Sequence, residues 1–236
     1  MMFGNIDRLE FDVYAQGIHS RNCFNKSRVE KNSVNGIELL LRPKGVNTDI
    51  FYNSISFNER IFIGSRLISW LYNNCLELKG EFKGISFITI NLEVNSISLL
   101  KDDLIVLSDK LNYYSIDLMV EVTERNRFFS KENLMVIYNL YDVGIKFAID
   151  DMDVTEYNLS IFNLNVFDYI KIKISDYFSI PNRKDFLDRM LSQKKEIIVE
   201  NVETLFEIKR LKIEPVSLFQ GYFLCYPRKI DNVILG

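Results

Sequence analysis

The stretch IDLMVEVTERNRFFSKENLMVIYNLYDVGIKFAID, residues 116–150, decides the fold. It opens on a short apolar segment, Ile116 to Glu121, and closes on another, Ile145 to Asp150. Both are of strand length, and Lys131 to Tyr141 between them carries its apolar residues at helical spacing. Strand, helix and strand in that order predict a parallel sheet buried on both faces. Each strand finishes on an acid, Glu121 and Asp150.

The alternation continues outward from this unit. Strand-like segments also occupy Phe11 to Ile18, Val34 to Arg42, Ile85 to Asn91, Asp168 to Ile172, Glu196 to Glu200 and Pro215 to Gln220. Helical spacing recurs in Phe57 to Tyr72, Ser96 to Leu111, Asp185 to Leu191 and Val202 to Leu211. About eight such strands close an α/β barrel of the (β/α)8, TIM-like kind. Ser20 to Ser33, between the first two strands, is polar and has no helical pattern. That link reads as a hairpin, so one strand near the N-terminus is expected to run antiparallel to its neighbour.

Length and composition bound the function. A chain of 236 residues fits a single domain, residues 1–236. The net charge of -3, with no Lys/Arg-dense run, argues against DNA or RNA as a partner. Apolar runs such as Ile85 to Ile90 and Ile145 to Ile149 are too short to cross a membrane. The opening MMFGNIDRLEFD lacks the basic start and apolar stretch of a secretion signal, so a cytoplasmic location is expected. Cys23, Cys75 and Cys225 are scattered and read as reduced thiols. His19 is the only histidine, which excludes a histidine-rich zinc site; it is expected as a strand-end or surface residue.

The polar residues fall where barrel enzymes place their chemistry. Asn91, Glu121, Asp150, Asp151, Glu200 and Gln220 each stand at or just past the C-terminal end of an apolar strand, and in a barrel those ends share one rim. As a single position each could be a helix cap; the recurrence around the rim argues for a site. Glu38 and Lys171 lie inside strand segments, where a charge facing the core needs a partner. Convergent carboxylates repel, and cations relieve the repulsion. An oxygen-only ligand set suits Mg²⁺ or Mn²⁺, and two such ions would hold the attacking water and leaving oxygen of a phosphodiester.

VNGIELLLR, Val34 to Arg42, is similar to the signature of the EAL family of cyclic di-GMP phosphodiesterases, with Glu38-Leu39-Leu40 in the place of Glu-Ala-Leu. Asn91-Leu92, Glu121-Val122-Thr123-Glu124, Ala148-Ile149-Asp150-Asp151 and Tyr169-Ile170-Lys171-Ile172 follow in the family's order. Glu200-Asn201-Val202-Glu203-Thr204 and Gln220-Gly221-Tyr222 with Pro227 complete it. The resemblance implies hydrolysis of cyclic di-GMP to linear pGpG. It implies Glu38, Asn91, Glu121, Asp150, Asp151 and Glu200 as metal ligands, with Lys171 orienting or deprotonating the attacking water. Arg42 would grip a phosphate oxygen, Gln16 and Gln220 would lie beside the ligand, Glu203 would support the rim, and Glu124 would support a loop.

Departures from the pattern bear on activity. The family's Phe-Gly-Thr-Gly-Tyr-Ser-Ser after the Asp pair is replaced by Met152 to Asn158, without either glycine. Lys173 stands where an Asp is expected, Asn201 where a Gly is, and Gly17 where a Pro is. Three functions therefore stay open: an active phosphodiesterase, a degenerate EAL protein that binds cyclic di-GMP or a protein partner without cleavage, and a metal-dependent barrel enzyme of another substrate class. With no sensor segment in the sequence, control is expected through expression, a protein partner or a homodimer.

Overall fold

The computed structural model describes residues 10–21, 34–123, 129–150 and 164–234, with backbone alone at 232–234. In chain order its elements are β1 (Glu10–Ser20), β2 (Val34–Pro43), α1 (Thr48–Ser54), α2 (Phe57–Glu81), β3 (Phe87–Glu93), α3 (Val94–Ile97), α4 (Lys101–Tyr113) and β4 (Asp117–Thr123). There follow α5 (Lys131–Asp142), β5 (Lys146–Asp150), β6 (Tyr169–Lys173), α6 (Ile174–Ser179), α7 (Arg183–Ser192), β7 (Glu196–Glu200), α8 (Leu205–Leu211), β8 (Leu218–Phe219) and β9 (Arg228–Ile234). Among the described residues no helix is long and apolar enough to cross a membrane.

Strands β2 to β8 pair in parallel, each with the next in sequence. Strand β1 closes the ring by pairing antiparallel with β2 along most of its length, and with β8 through His19↔Phe219 and Ser20↔Leu218. The result is the expected (β/α)8 barrel with one antiparallel strand. Strand β9 is an addition that the charged sequence RKIDNVI does not announce. It pairs antiparallel with the start of β1, and Trp70 of α2 donates its indole N–H to Asp231 at 2.8 Å.

Helix α2 begins at a capping box, in which Ser56 and Glu59 satisfy each other's backbone N–H groups. It runs on to Glu81, past the expected end at Tyr72, because Cys75 and Leu78 continue the buried stripe of Ile63, Leu67, Ile68 and Leu71. Strands β3 and β4 likewise outrun the expected ends at Asn91 and Glu121, reaching Glu93 and Thr123. The ladder pairs Asn91↔Glu121, Leu92↔Val122 and Glu93↔Thr123. Both polar residues are therefore held within rigid strands instead of at their ends.

Period-two alternation divides the core. Ile37, Leu39, Ile88, Ile90, Val120, Val122, Ile149, Ile170, Ile172 and Val199 pack outward in the cluster that includes the helices. A separate cluster of Ile18, Phe87, Met119, Ala148, Ile198 and Leu218, with Tyr169 against it, fills the interior. Gly36 completes this layer from β2, since a Cβ there would lie 2.2 Å from the Phe87 ring. Seven barrel strands thus stack apolar groups inside, and the eighth leaves room for them.

Candidate functional site

Two residues further along each strand, the same inward face becomes polar. Stepping two positions from the apolar layer reaches Glu38, Thr89, Glu121, Asp150, Lys171, Glu200 and Gln220, and on the antiparallel β1 it reaches Gln16. Every strand of the ring thus contributes one side chain to a single layer. Glu121, Lys171 and Thr89 are fully buried, and Glu38, Gln16 and Gln220 nearly so.

Lys171 is the hub of this layer. Its Nζ lies 2.6 Å from Glu121 Oε2, 2.9 Å from Glu200 Oε1, 3.2 Å from Glu38 Oε2 and 3.8 Å from Asp150 Oδ1. Asn91 donates to Glu38 Oε1 at 2.7 Å, and Gln220 Nε2 to Glu38 Oε2 at 2.7 Å and to Gln16 Oε1 at 3.2 Å. Gln16 in turn donates to the Cys225 carbonyl at 3.3 Å. Thr89 donates its hydroxyl to Glu121 Oε1 at 2.7 Å. Sequence reading passed over Thr89, although a polar residue inside Ile88-Thr89-Ile90 and in phase with Asn91 was its signal.

Four carboxylates face one ammonium, and their proton affinities record the imbalance. Burial, then the charges of Asp150 and Glu38, push the Glu200 carboxyl up to about 7 against the pull of Lys171. Burial and the charge of Glu38 hold Glu121 well above the usual carboxylate range, despite its contact with Lys171. Burial opposes ionisation of Glu38 too, but the Lys171 charge and hydrogen bonds from Gln220 and Asn91 outweigh it and lower the pKa. Lys171 feels the same four carboxylates. Burial pulls it down, but Asp150, Glu121, Glu200 and Glu38 together raise it well above the ordinary lysine value.

The mouth of the layer is a cavity of about 190 Å³, lined by Gln16, Glu38, Arg42, Glu200, Asn201, Glu203 and Gln220 among others. Arg42 also borders a second cavity of about 270 Å³ that reaches Asn91 and α2. Glu203 is exposed at the rim, and its backbone N–H donates to Glu207 at 2.8 Å. Asn201 adopts φ 56°, a left-handed conformation that glycine favours and that Asn tolerates better than most residues. That substitution therefore costs the rim little. Gly221 has no such substitute: at φ 155° a Cβ would lie 2.3 Å from the backbone of Val202.

His19 sits one residue from the end of β1, as expected, but is buried rather than at the surface; its Nε2 is 3.4 Å from Cys225 Sγ. Cys75 and Cys225 are free thiols. Asp151, Glu124, Cys23 and the altered segment 152–158 lie outside the described residues.

The sequence matches a known family over nearly its whole length. Residues 5–227 correspond to the EAL domain. The chain belongs to the EAL domain family. Within it, the probable cyclic di-GMP phosphodiesterase PdeN of Escherichia coli (strain K12) is 25% identical over 219 residues, 85% of this EAL chain and 42% of PdeN. The chain thus spans less than half of that relative's length. Among solved structures, a calcium and cyclic di-GMP complex of BlrP1 from Klebsiella pneumoniae has a TM-score of 0.72 at 22% identity, covering 92% of this chain and 56% of that one. BlrP1 with manganese and cyclic di-GMP gives 0.70 at 22%, covering 94% and 58%. The Bacillus subtilis YkuI protein, in complex with cyclic di-GMP and calcium, gives 0.69 at 21%, covering 93% and 56%. At these identities the likeness establishes the shared EAL barrel.

Proposed function

We propose that this chain hydrolyses cyclic di-GMP to linear pGpG with two divalent cations, Mg²⁺ or Mn²⁺. The observation that carries this reading is the buried layer in which Glu38, Glu121, Asp150 and Glu200 surround a single ammonium beneath a cavity bordered by Arg42. The name of PdeN and the nucleotide complexes of BlrP1 and YkuI support the choice of ligand.

The donors fit hard cations. They are all oxygen, they carry excess negative charge, and the buried Gln220 Oε1 has no hydrogen-bond partner. Glu38, Asn91, Glu121, Asp150 and Glu200 would hold the ions, with Asp151 completing the set. Such ions supply Lewis-acid stabilisation of the charge that develops on phosphate and make water more acidic. The chain's own groups do the positioning. Asn91 and Gln220 each hold one oxygen of Glu38, so its carboxylate has one orientation. Lys171 ties Glu121, Glu200 and Glu38 together and keeps a positive charge among them. Arg42, at the junction of two cavities, offers paired donors to a phosphate oxygen. The apolar layer below excludes water from the closed end.

The test is chromatography of cyclic di-GMP incubated with purified protein and Mn²⁺ or Mg²⁺. Linear product is expected from the natural chain and at least about 100-fold less from Glu38→Gln, which keeps the side-chain shape. Equal turnover in the variant would remove Glu38 from the site. A second reading, binding without cleavage, has one observation in its favour. As the side chains stand, the acids close on Lys171, and among the described residues no three are grouped to hold an ion. Calorimetric binding of cyclic di-GMP with no product under either metal would establish that reading instead.

A further inference from the structure

We propose that Tyr222 and Tyr226 form a stacking platform for one purine base of the ligand, an inference that rests on the cyclic dinucleotide reading above. The two rings lie 4.8 Å apart, centroid to centroid, at 27°. Tyr222 lines the mouth of the acid-lined cavity together with Arg42, Asn201 and Glu203. The pair remains open to water, with Tyr222 49% and Tyr226 70% exposed. Aromatic rings ordinarily gain their stability from burial, and this pair forgoes most of it. A third flat ring laid on the pair would recover that burial.

The platform is set in advance. Gly221 packs its backbone against Val202, where no side chain fits, and Phe223 donates its backbone N–H to the Val202 carbonyl at 3.0 Å. Leu224 and Cys225 donate to the Gly221 carbonyl at 3.0 and 3.1 Å, closing a turn under the rings. Cys225 is also the residue whose carbonyl receives Gln16, so the turn is joined to the polar layer. Beyond Pro227, Arg228 pairs with Glu81 of α2 and lies over the Phe82 ring. A turn held at both ends spends little entropy on receiving a ligand.

The neighbours favour a nucleotide over an apolar ligand. Arg42 offers donors, Asn201 both donors and an acceptor, and Glu203 acceptors, all lining the same cavity as Tyr222. Base stacking on aromatic rings tolerates any base, so the platform contributes affinity while the polar wall is left to distinguish the base edge.

The test is calorimetry of cyclic di-GMP, in the presence of Ca²⁺ as in the relatives' complexes, with the natural chain, Tyr226→Ala and Tyr226→Phe. Tyr226→Ala is expected to raise Kd by about tenfold, whereas Tyr226→Phe, which keeps the ring, stays within about twofold. Mn²⁺ affinity without nucleotide is expected to be the same in all three. Unchanged nucleotide affinity in Tyr226→Ala overturns the platform alone. An altered Mn²⁺ affinity in that variant overturns it as well, because the loss then comes from a distorted site. No nucleotide binding by the natural chain overturns the cyclic dinucleotide reading and the platform with it.

Discussion

Thr89 donates its hydroxyl to Glu121 at 2.7 Å, and neither side chain touches solvent. A buried carboxylate that loses a donor is left with its desolvation unrelieved, at a cost of about 1–3 kcal/mol. Thr89→Val, of nearly the same shape, is therefore expected to lower stability to urea by that amount. Thr89→Ser keeps the hydroxyl and is expected to lose no more than about 1 kcal/mol, for one buried methyl. Equal losses in the two variants would assign the effect to packing instead of the hydrogen bond.

Lys171 is the positive charge among four carboxylates of the inner layer. Removing one partner of a buried ion pair typically costs about 3–5 kcal/mol, because the other charges stay behind. Lys171→Met is expected to show a correspondingly lower thermal midpoint at neutral pH. Millimolar Mn²⁺ should recover more of that loss in the variant than it adds to the natural chain, since an ion can take the place of the ammonium. A variant midpoint indifferent to Mn²⁺ would show that these acids do not accept a cation.

Arg42 stands half-buried where the two rim cavities meet. A charge-assisted contact to phosphate is worth about 1.5–3 kcal/mol, or roughly ten- to 150-fold in Kd. Arg42→Ala should weaken cyclic di-GMP by that factor and leave Mn²⁺ binding in place. Equal loss of both ligands, measured by calorimetry, would mean that Arg42 supports the fold of the rim.

His19 carries a pH dependence of stability. Burial lowers its pKa from 6.5 to about 4, so the unfolded chain takes up a proton before the folded chain does. Above pH 6.5 neither state is protonated there and the imidazole costs nothing. As pH falls from 6.5 toward 4, stability should decline by up to about 1.4 kcal/mol per unit on account of this residue. Urea midpoints across that range, compared between the natural chain and His19→Gln, isolate the contribution. Parallel curves would show that His19 titrates alike in both states.

Much of the barrel was legible in the sequence because parallel strands covered on both faces must be short apolar runs, as Ile116 to Val120 and Ile145 to Ile149 are. The antiparallel start of the chain was legible too, from a connection with no helical pattern. Strand ends were not: Asn91 and Glu121 read as the first polar residues after apolar runs, yet their mutual ladder pairing carries both strands two residues further. Strand β9 was hidden because an edge strand needs backbone pairing, here from β1, more than an apolar face.

The sequence by itself determined that charges such as Glu38 and Lys171, set inside apolar strands, must find partners wherever the chain goes. Only the tertiary structure decided what those partners are. Closing the ring turned one position from each of eight strands onto a common level, so residues as far apart as Gln16 and Gln220 came within 3.2 Å. It also set the direction in which Lys171 is shifted, because a buried ammonium's proton affinity depends on how many carboxylates crowd it, and that number is set by geometry. Asn201 shows the same division at one residue: the missing glycine is plain in the sequence, but its tolerance rests on a left-handed φ of 56° that only the folded backbone reveals.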